Sequence, residues 1–373
     1  MKTKGKSPLK KQKKSVDRSL MILFFVFTIL GLVAVADASA PQALSVFNDK
    51  LYFFKQQAVW AGVGIILLLI FSKINYKLWE KVATIFFLIS LGLLVAVLVP
   101  GIGLKALGAR RWIPLGFFSI QPSEIVKLSL AVYLAKVASK EKSTLSYFIP
   151  LVIVSFLIML EPDLGTTVSI TLFALAQIFI SGVNIFQFFL ACLGGILAAI
   201  VLIITSSYRR ERLITYLNAT QDPLGKSYHI RQILLALGSG GIFGVGIGAS
   251  RQKFLFLPEA ATDSIFAVIA EELGFVGAAV VIILFAFFLY KGLSISMKSP
   301  DIFSQVLAVG LTVWIGGQAF LNIASMVALI PLTGIPLPFF SYGGSSLVMI
   351  LVACGILLNI SKYAETKKSS FRR

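Results

Sequence analysis

Asp263 closes the run Leu257-Pro-Glu-Ala-Ala-Thr-Asp263, with Glu259 four residues ahead of it. A carboxylate beside a basic, amphipathic segment can take a proton from a polar acceptor as a general base. It can equally do no more than favour the positive end of the helix that follows, with Thr262 as N-cap and Asp263 in the first turn. Arg251, Gln252 and Lys253 precede this run, and Arg110, Arg111 and Trp112 form a second basic cluster earlier in the chain. Cations gathered in this way suit an anionic lipid-linked group such as a diphosphate, and they suit phospholipid headgroups equally well.

Other charges lie within apolar sequence, where each costs several kcal/mol unless paired or wet. Glu124 and Lys127 are three residues apart and share one helix face, so an internal ion pair is the plainest expectation. Glu161-Pro-Asp-Leu-Gly165 reads as a break between two helices, its acids capping the second. Glu271 and Glu272 fall inside a further apolar run, and at least one must face protein or water. The uncharged run Gly334-Ile-Pro-Leu-Pro-Phe-Phe-Ser-Tyr-Gly-Gly-Ser-Ser346 is either a re-entrant loop flooring a site or a tight turn.

These residues sit in a chain of 373, of which 57% are hydrophobic and only 13% charged. A water-soluble globular protein is excluded by that balance. The expected fold is an all-α polytopic membrane protein of about ten helices, near 20–37, 54–72, 80–100, 122–138, 147–161, 164–181, 185–206, 264–290, 304–330 and 346–361. Eight of the lysines and arginines fall in the first 18 residues, the mark of a cytoplasmic N-terminus that meets anionic lipid rather than nucleic acid. Basic residues thereafter favour a topology with both termini inside. The exceptions crowd into loops 101–121 and 207–263, the latter a long extracytoplasmic loop between helices 7 and 8. The chain divides into a basic tail, 1–19, a membrane domain, 20–361, and a second basic tail, 362–373. The competing reading of Leu20 to Ala40 as a cleaved signal peptide, from Ala38-Ser39-Ala40, is disfavoured by the many spans that follow.

Cys192 and Cys354 lie in apolar runs and offer neither a disulfide framework nor zinc spacing. His229 is the one histidine, which rules out a multi-histidine metal centre, and it is expected in a loop. The glycine-rich stretch 238–248 matches a dinucleotide fingerprint only as a pattern, without the strand and acidic partner that the motif needs.

Six stretches in order, Gly108-Ala-Arg-Arg-Trp-Ile113 with Gln121-Pro-Ser-Glu-Ile-Val-Lys127, Glu161-Pro-Asp-Leu-Gly165, Gly248-Ala-Ser-Arg-Gln-Lys253 with Leu257-Pro-Glu-Ala260 and Thr262-Asp263, Ala270-Glu-Glu-Leu-Gly274, Pro331-Leu-Thr-Gly-Ile-Pro-Leu-Pro338 and Ser341-Tyr-Gly-Gly-Ser-Ser346, resemble the SEDS family of bacterial shape, elongation, division and sporulation proteins. The resemblance implies a ten-helix peptidoglycan glycosyltransferase of the cytoplasmic membrane, its active site facing outward, that polymerises lipid II. It also implies a class B penicillin-binding protein as crosslinking partner, within a division or elongation complex. The basic tail and the Gly-Ala-Arg-Arg-Trp-Ile motif lean toward the division branch. Asp263 matches the aspartate to which the family's catalysis is assigned. By the same resemblance Arg110, Arg111, Arg251 and Lys253 would neutralise the diphosphate, with Gln252 and Glu259 in the same motifs. Trp112 would lie near the sugar or lipid neck, and Glu124 and Lys127 in a central cavity. A divalent cation, Mg or Mn, would share the charge, although no dedicated cage is visible in the sequence.

Where the family commonly has histidine before Thr262, this chain has Ala261, with Ser264 after Asp263. That departure weighs against any mechanism that needs an imidazole. Two other classes of function are discriminated by experiment. A lipid II flippase would need polar groups through the full membrane depth, and a noncatalytic division scaffold would tolerate Asp263→Asn.

Overall fold

Long runs of Leu, Ile, Val and Phe leave the backbone no polar surroundings, so its amides and carbonyls must bond within helices. The computed structural model describes residues 15–106, 109–116, 118–140, 143–205, 210, 214–216, 227–254 and 256–364. Much of the two basic tails and part of loop 207–263 therefore lie outside the described residues. Each expected helical segment coincides with a helix: α1 (Arg18–Phe47), α2 (Tyr52–Lys73), α3 (Lys77–Leu98), α4 (Pro122–Ser139), α5 (Leu145–Leu160), α6 (Leu164–Ile180), α7 (Ile185–Thr205), α9 (Ile265–Met297), α10 (Ile302–Met326) and α11 (Gly344–Ser361). A further helix, α8 (Tyr228–Gly240), stands inside the stretch expected to be loop. Among the described residues six helices, α1, α2, α3, α9, α10 and α11, are long and apolar enough to cross a membrane. Ala38 and Ser39 are buried in mid-α1, so the small-residue triplet is helix interior.

The all-α expectation needs one amendment. Residues 104–120 form a three-stranded antiparallel sheet, β1 (Leu104–Ala106), β2 (Ala109–Pro114) and β3 (Ser119–Ile120), in the order β1-β2-β3. Strands of two to six residues are too short to show a period in the sequence.

Hydrogen bonds sort the connections into two ends. At one end Asp17 N–H donates to Ser361 Oγ, Tyr76 N–H to Asn359 Oδ1, and the Tyr76 hydroxyl to Asp301, while Lys291 pairs with Asp17. At the other end Ser345 Oγ donates to Ser119 O, Arg111 to the 161–162 carbonyls, Ser341 Oγ to Thr262 O, and Gln57 Nε2 to Ser341 O. The sheet, the 161–163 turn, the 250–264 segment and the 331–343 run thus share one end, opposite both described termini.

Close approach of backbones holds the bundle. Gly355 of α11 leaves room for the Leu68 carbonyl of α2, and Gly310 of α10 lies under Gln177. Gln177 Nε2 in turn donates to Ala131 O and Val306 O, linking α4, α6 and α10.

Helix α9 is broken at Gly274, which has φ +66°. The break would orphan backbone groups on both sides. Residues 241–246 satisfy them: Val245 N and Gly246 N donate to Glu271 O and Glu272 O, and Phe275 N and Val276 N donate to Gly241 O and Ile242 O. The glycines of 238–248 are therefore a backbone splint. A Cβ on Gly244 would fall 2.0 Å from Glu272 O.

Candidate functional site

Asp263 lies in a turn whose shape is set by Glu259, which takes a left-handed φ of +52°. The Glu259 carbonyl accepts from both Thr262 N and Ser264 N, and the Glu259 carboxylate accepts from Thr262 Oγ1 at 2.6 Å. Thr262 is therefore spent on Glu259 and does not cap α9. The N-cap is Ser264, and Asp263 stands just before the helix rather than in its first turn.

The 331–343 run fixes this turn from the other side, and is neither a tight turn nor helical. Asn322 Nδ2 donates to Asp263 O at 2.8 Å and to Ile335 O at 2.7 Å, joining α10, the turn and the run through one amide. Ser341 Oγ donates to Thr262 O at 2.6 Å, and Tyr342 N donates to Ala261 O at 2.8 Å. Gly334 has φ +69°, and a Cβ there would stand 3.4 Å from Asp263 Oδ2, so bare backbone faces the half-buried carboxylate. The backbone of this turn is thus pinned at three consecutive carbonyls, those of Ala261, Thr262 and Asp263.

Glu124 and Lys127 pair at 2.8 Å, both buried. Lys127 also donates to Gln318 Oε1 at 3.0 Å, and Gln318 Nε2 donates to Pro336 O at 3.0 Å. The pair thus buttresses the 331–343 run from below, as the internal ion pair expected from its spacing.

Arg110 and Trp112 are half-buried on β2, their Cα partners being Lys105 and Leu104. Arg111 is committed to the bundle: Nε donates to Glu161 O at 3.1 Å, Nη2 to Pro162 O at 2.6 Å, and Asp163 Oδ2 lies 3.8 Å from Nε. Asp163 caps α6 through Thr166 N, as expected. Glu161 does not cap α6. Its side chain is 1% exposed and neither carboxylate oxygen has a hydrogen-bond partner. Burial first, then the Asp163 charge, push its pKa up to about 8 against the pull of Arg111. Gly165, at the end of this turn, packs against Thr333 O and Ile335, next to the glycine that faces Asp263.

The cluster Arg251, Gln252 and Lys253 is divided. The Arg251 side chain is exposed, whereas its backbone N–H donates to Glu271. Gln252 N also donates to Glu271, and its Oε1 is buried without a partner. Lys253 is turned inward and bonds at 2.7 Å to both Asp37 of α1 and Glu272 of α9. Both α9 glutamates therefore face protein, holding the 250–253 segment through Ser250, Arg251 and Lys253.

His229 is not in a loop. It lies in the first turn of α8, with Nε2 2.9 Å from Ser264 Oγ, one residue from Asp263. Sequence reasoning also missed Asp37, Asn322 and Gln318. An Asp in mid-run was a signal for the first, whereas an Asn and a Gln in an apolar helix carried no partner information.

Among the described residues no group of three or more His, Cys, Asp and Glu is arranged to hold a metal ion.

Bundle and site together define a multi-pass helical membrane protein with a half-buried carboxylate held in a loop-built turn at one end. The FtsW/RodA/SpoVE family model, described as cell cycle protein, matches residues 17–366, and the chain belongs to that family. It is 41% identical to stage V sporulation protein E of Bacillus subtilis, over 95% of this chain and 99% of that one. It is 38% identical to the probable peptidoglycan glycosyltransferase FtsW of Trichlorobacter lovleyi, over 92% and 93%. Among solved structures, a chain of a peptidoglycan synthase complex that coordinates polymerization and crosslinking superposes with a TM-score of 0.74 at 27% identity, covering 93% of this chain and 97% of that one.

Proposed function

We propose that this chain polymerises lipid II into glycan strands at the outer face of the bacterial cytoplasmic membrane, in cell division and beside a class B penicillin-binding protein. The observation that carries the reading is the Asp263 turn, pinned by Asn322, Ser341 and Tyr342 at the end of the bundle opposite both described termini. The named activities of relatives at 36–38% identity support it. In this reading ten helices span the membrane with both termini inside, and the sheet, α8 and the 331–343 run lie outside.

Asp263 accepts the proton of the acceptor sugar's 4-hydroxyl as that oxygen attacks the anomeric carbon of the donor. The new C–O bond forms as the bond to undecaprenyl diphosphate breaks, with inversion. The diphosphate departs as an anion, so no second carboxylic acid is needed. Of the four cations expected at the diphosphate, Arg110 and Arg251 are left for it, since Lys253 and Arg111 already serve internal partners.

Purified chain in liposomes, with and without a cognate class B partner, tests the reading against Asp263→Asn. Glycan from wild type, lost in the variant while folding and partner binding persist, supports it, and equal glycan from both removes Asp263 as the base. No glycan from either, with partner present, refutes the polymerase.

A further inference from the structure

Ser264 is the N-cap of α9, yet its side chain makes no cap hydrogen bond. A serine there ordinarily gives its oxygen to an amide of the first turn, and losing that bond weakens a helix start. Here the fully buried hydroxyl meets His229 Nε2 at 2.9 Å instead. Its own backbone is held on both sides: Ser264 N donates to Glu259 O at 3.0 Å, and Ala267 N donates to Ser264 O at 2.9 Å. The peptide between Asp263 and Ser264 is thus tied by Asn322 at the Asp263 carbonyl and by His229 at the Ser264 hydroxyl. The second tie comes from α8, which packs along α9 and continues into the splint at Gly274.

We propose that His229 is a positioning residue for Asp263: through Ser264 it docks the first turn of α8 against the α9 cap and holds the catalytic carboxylate in register with Gly334. This rests on the polymerase reading for its kinetic consequence, but not for its structural one. Asn322 restrains the turn from α10; His229 supplies the restraint from the α8 side by meeting the Ser264 hydroxyl, while Ala261 carries no polar side chain. The sole histidine of the chain would thereby couple α8, and anything docking on α8, to the reacting carboxylate.

Two readouts test it on the full chain in liposomes with its class B partner. In lipid II polymerisation, His229→Ala and Ser264→Ala are each expected to lower kcat about fivefold, the weight of one buried hydrogen bond, with KM unchanged. The double variant should lose no more than either single, and His229→Gln, which can still reach the hydroxyl, should keep most of the rate. In hydrogen exchange, residues 259–267 should exchange faster in both alanine variants and at the wild-type rate in His229→Gln. Additive kinetic losses, a change confined to KM, or unaltered exchange would each overturn the proposal. Faster exchange in a protein that makes no glycan even as wild type would uphold the tie and refute the polymerase reading instead.

Discussion

Glu161→Gln is expected to remove a pH slope from the stability of this protein. Glu161 sits outside the helices, buried and without a hydrogen-bond partner, and its pKa is raised from the ordinary 4.5 to about 8 by burial and by Asp163. Between those values the folded chain keeps a proton that the unfolded chain has released. Its stabilising contribution is therefore complete below pH 4.5, declines as pH rises, and is gone above about 8. At 1.36 kcal/mol per unit the decline amounts to roughly 5 kcal/mol across the window, of which about 3 is already lost at pH 7. Glutamine is neutral throughout and lacks this decline. Its amide adds a buried donor, at about 1–3 kcal/mol, so the informative quantity is the slope and not the offset. Thermal unfolding followed by tryptophan fluorescence in one detergent, from pH 4.5 to 8.5, measures both proteins. The variant should gain on wild type by about 1.4 kcal/mol per pH unit up to pH 8 and run parallel beyond it. Curves that stay parallel across the whole range would refute the assignment of a neutral buried acid at this position.

Lys253→Met should destabilise by about 3–5 kcal/mol, because Asp37 and Glu272 are left without their shared cation. Adding Glu272→Gln should recover part of that loss in the same unfolding assay. Gly244→Ala should cost at least several kcal/mol or abolish detergent-stable protein, since the residue has φ +82° and a Cβ would strike Glu272 O; size-exclusion chromatography reports it. Arg111→Lys retains the charge but loses the two-pronged grip on Glu161 O and Pro162 O. It should therefore lower polymerisation more than salt-dependent binding of lipid II.

Much of this protein was determined by its sequence alone. Uninterrupted apolar runs can satisfy their backbones only as helices, so segments from 20–37 to 346–361 were legible and each coincides with a helix. The Glu124–Lys127 pair followed from a three-residue spacing, and the Asp163 cap from its place before α6. Interactions of this kind are local, and spacing encodes them. Spacing points to Thr262 as the cap of α9, but Thr262 turns back to Glu259, whose left-handed backbone no composition reveals. The break at Gly274 and its splint 30 residues earlier, the Asp37–Lys253–Glu272 triad, and the two-way amide of Asn322 each join residues far apart in the chain. Such contacts exist only once helices have packed, and the same packing decides which cations remain available to a substrate and which are held inside. His229 is the sharpest case: in the sequence it is a lone histidine amid loop residues, and the meeting of α8 with α9 places it against the neighbour of Asp263.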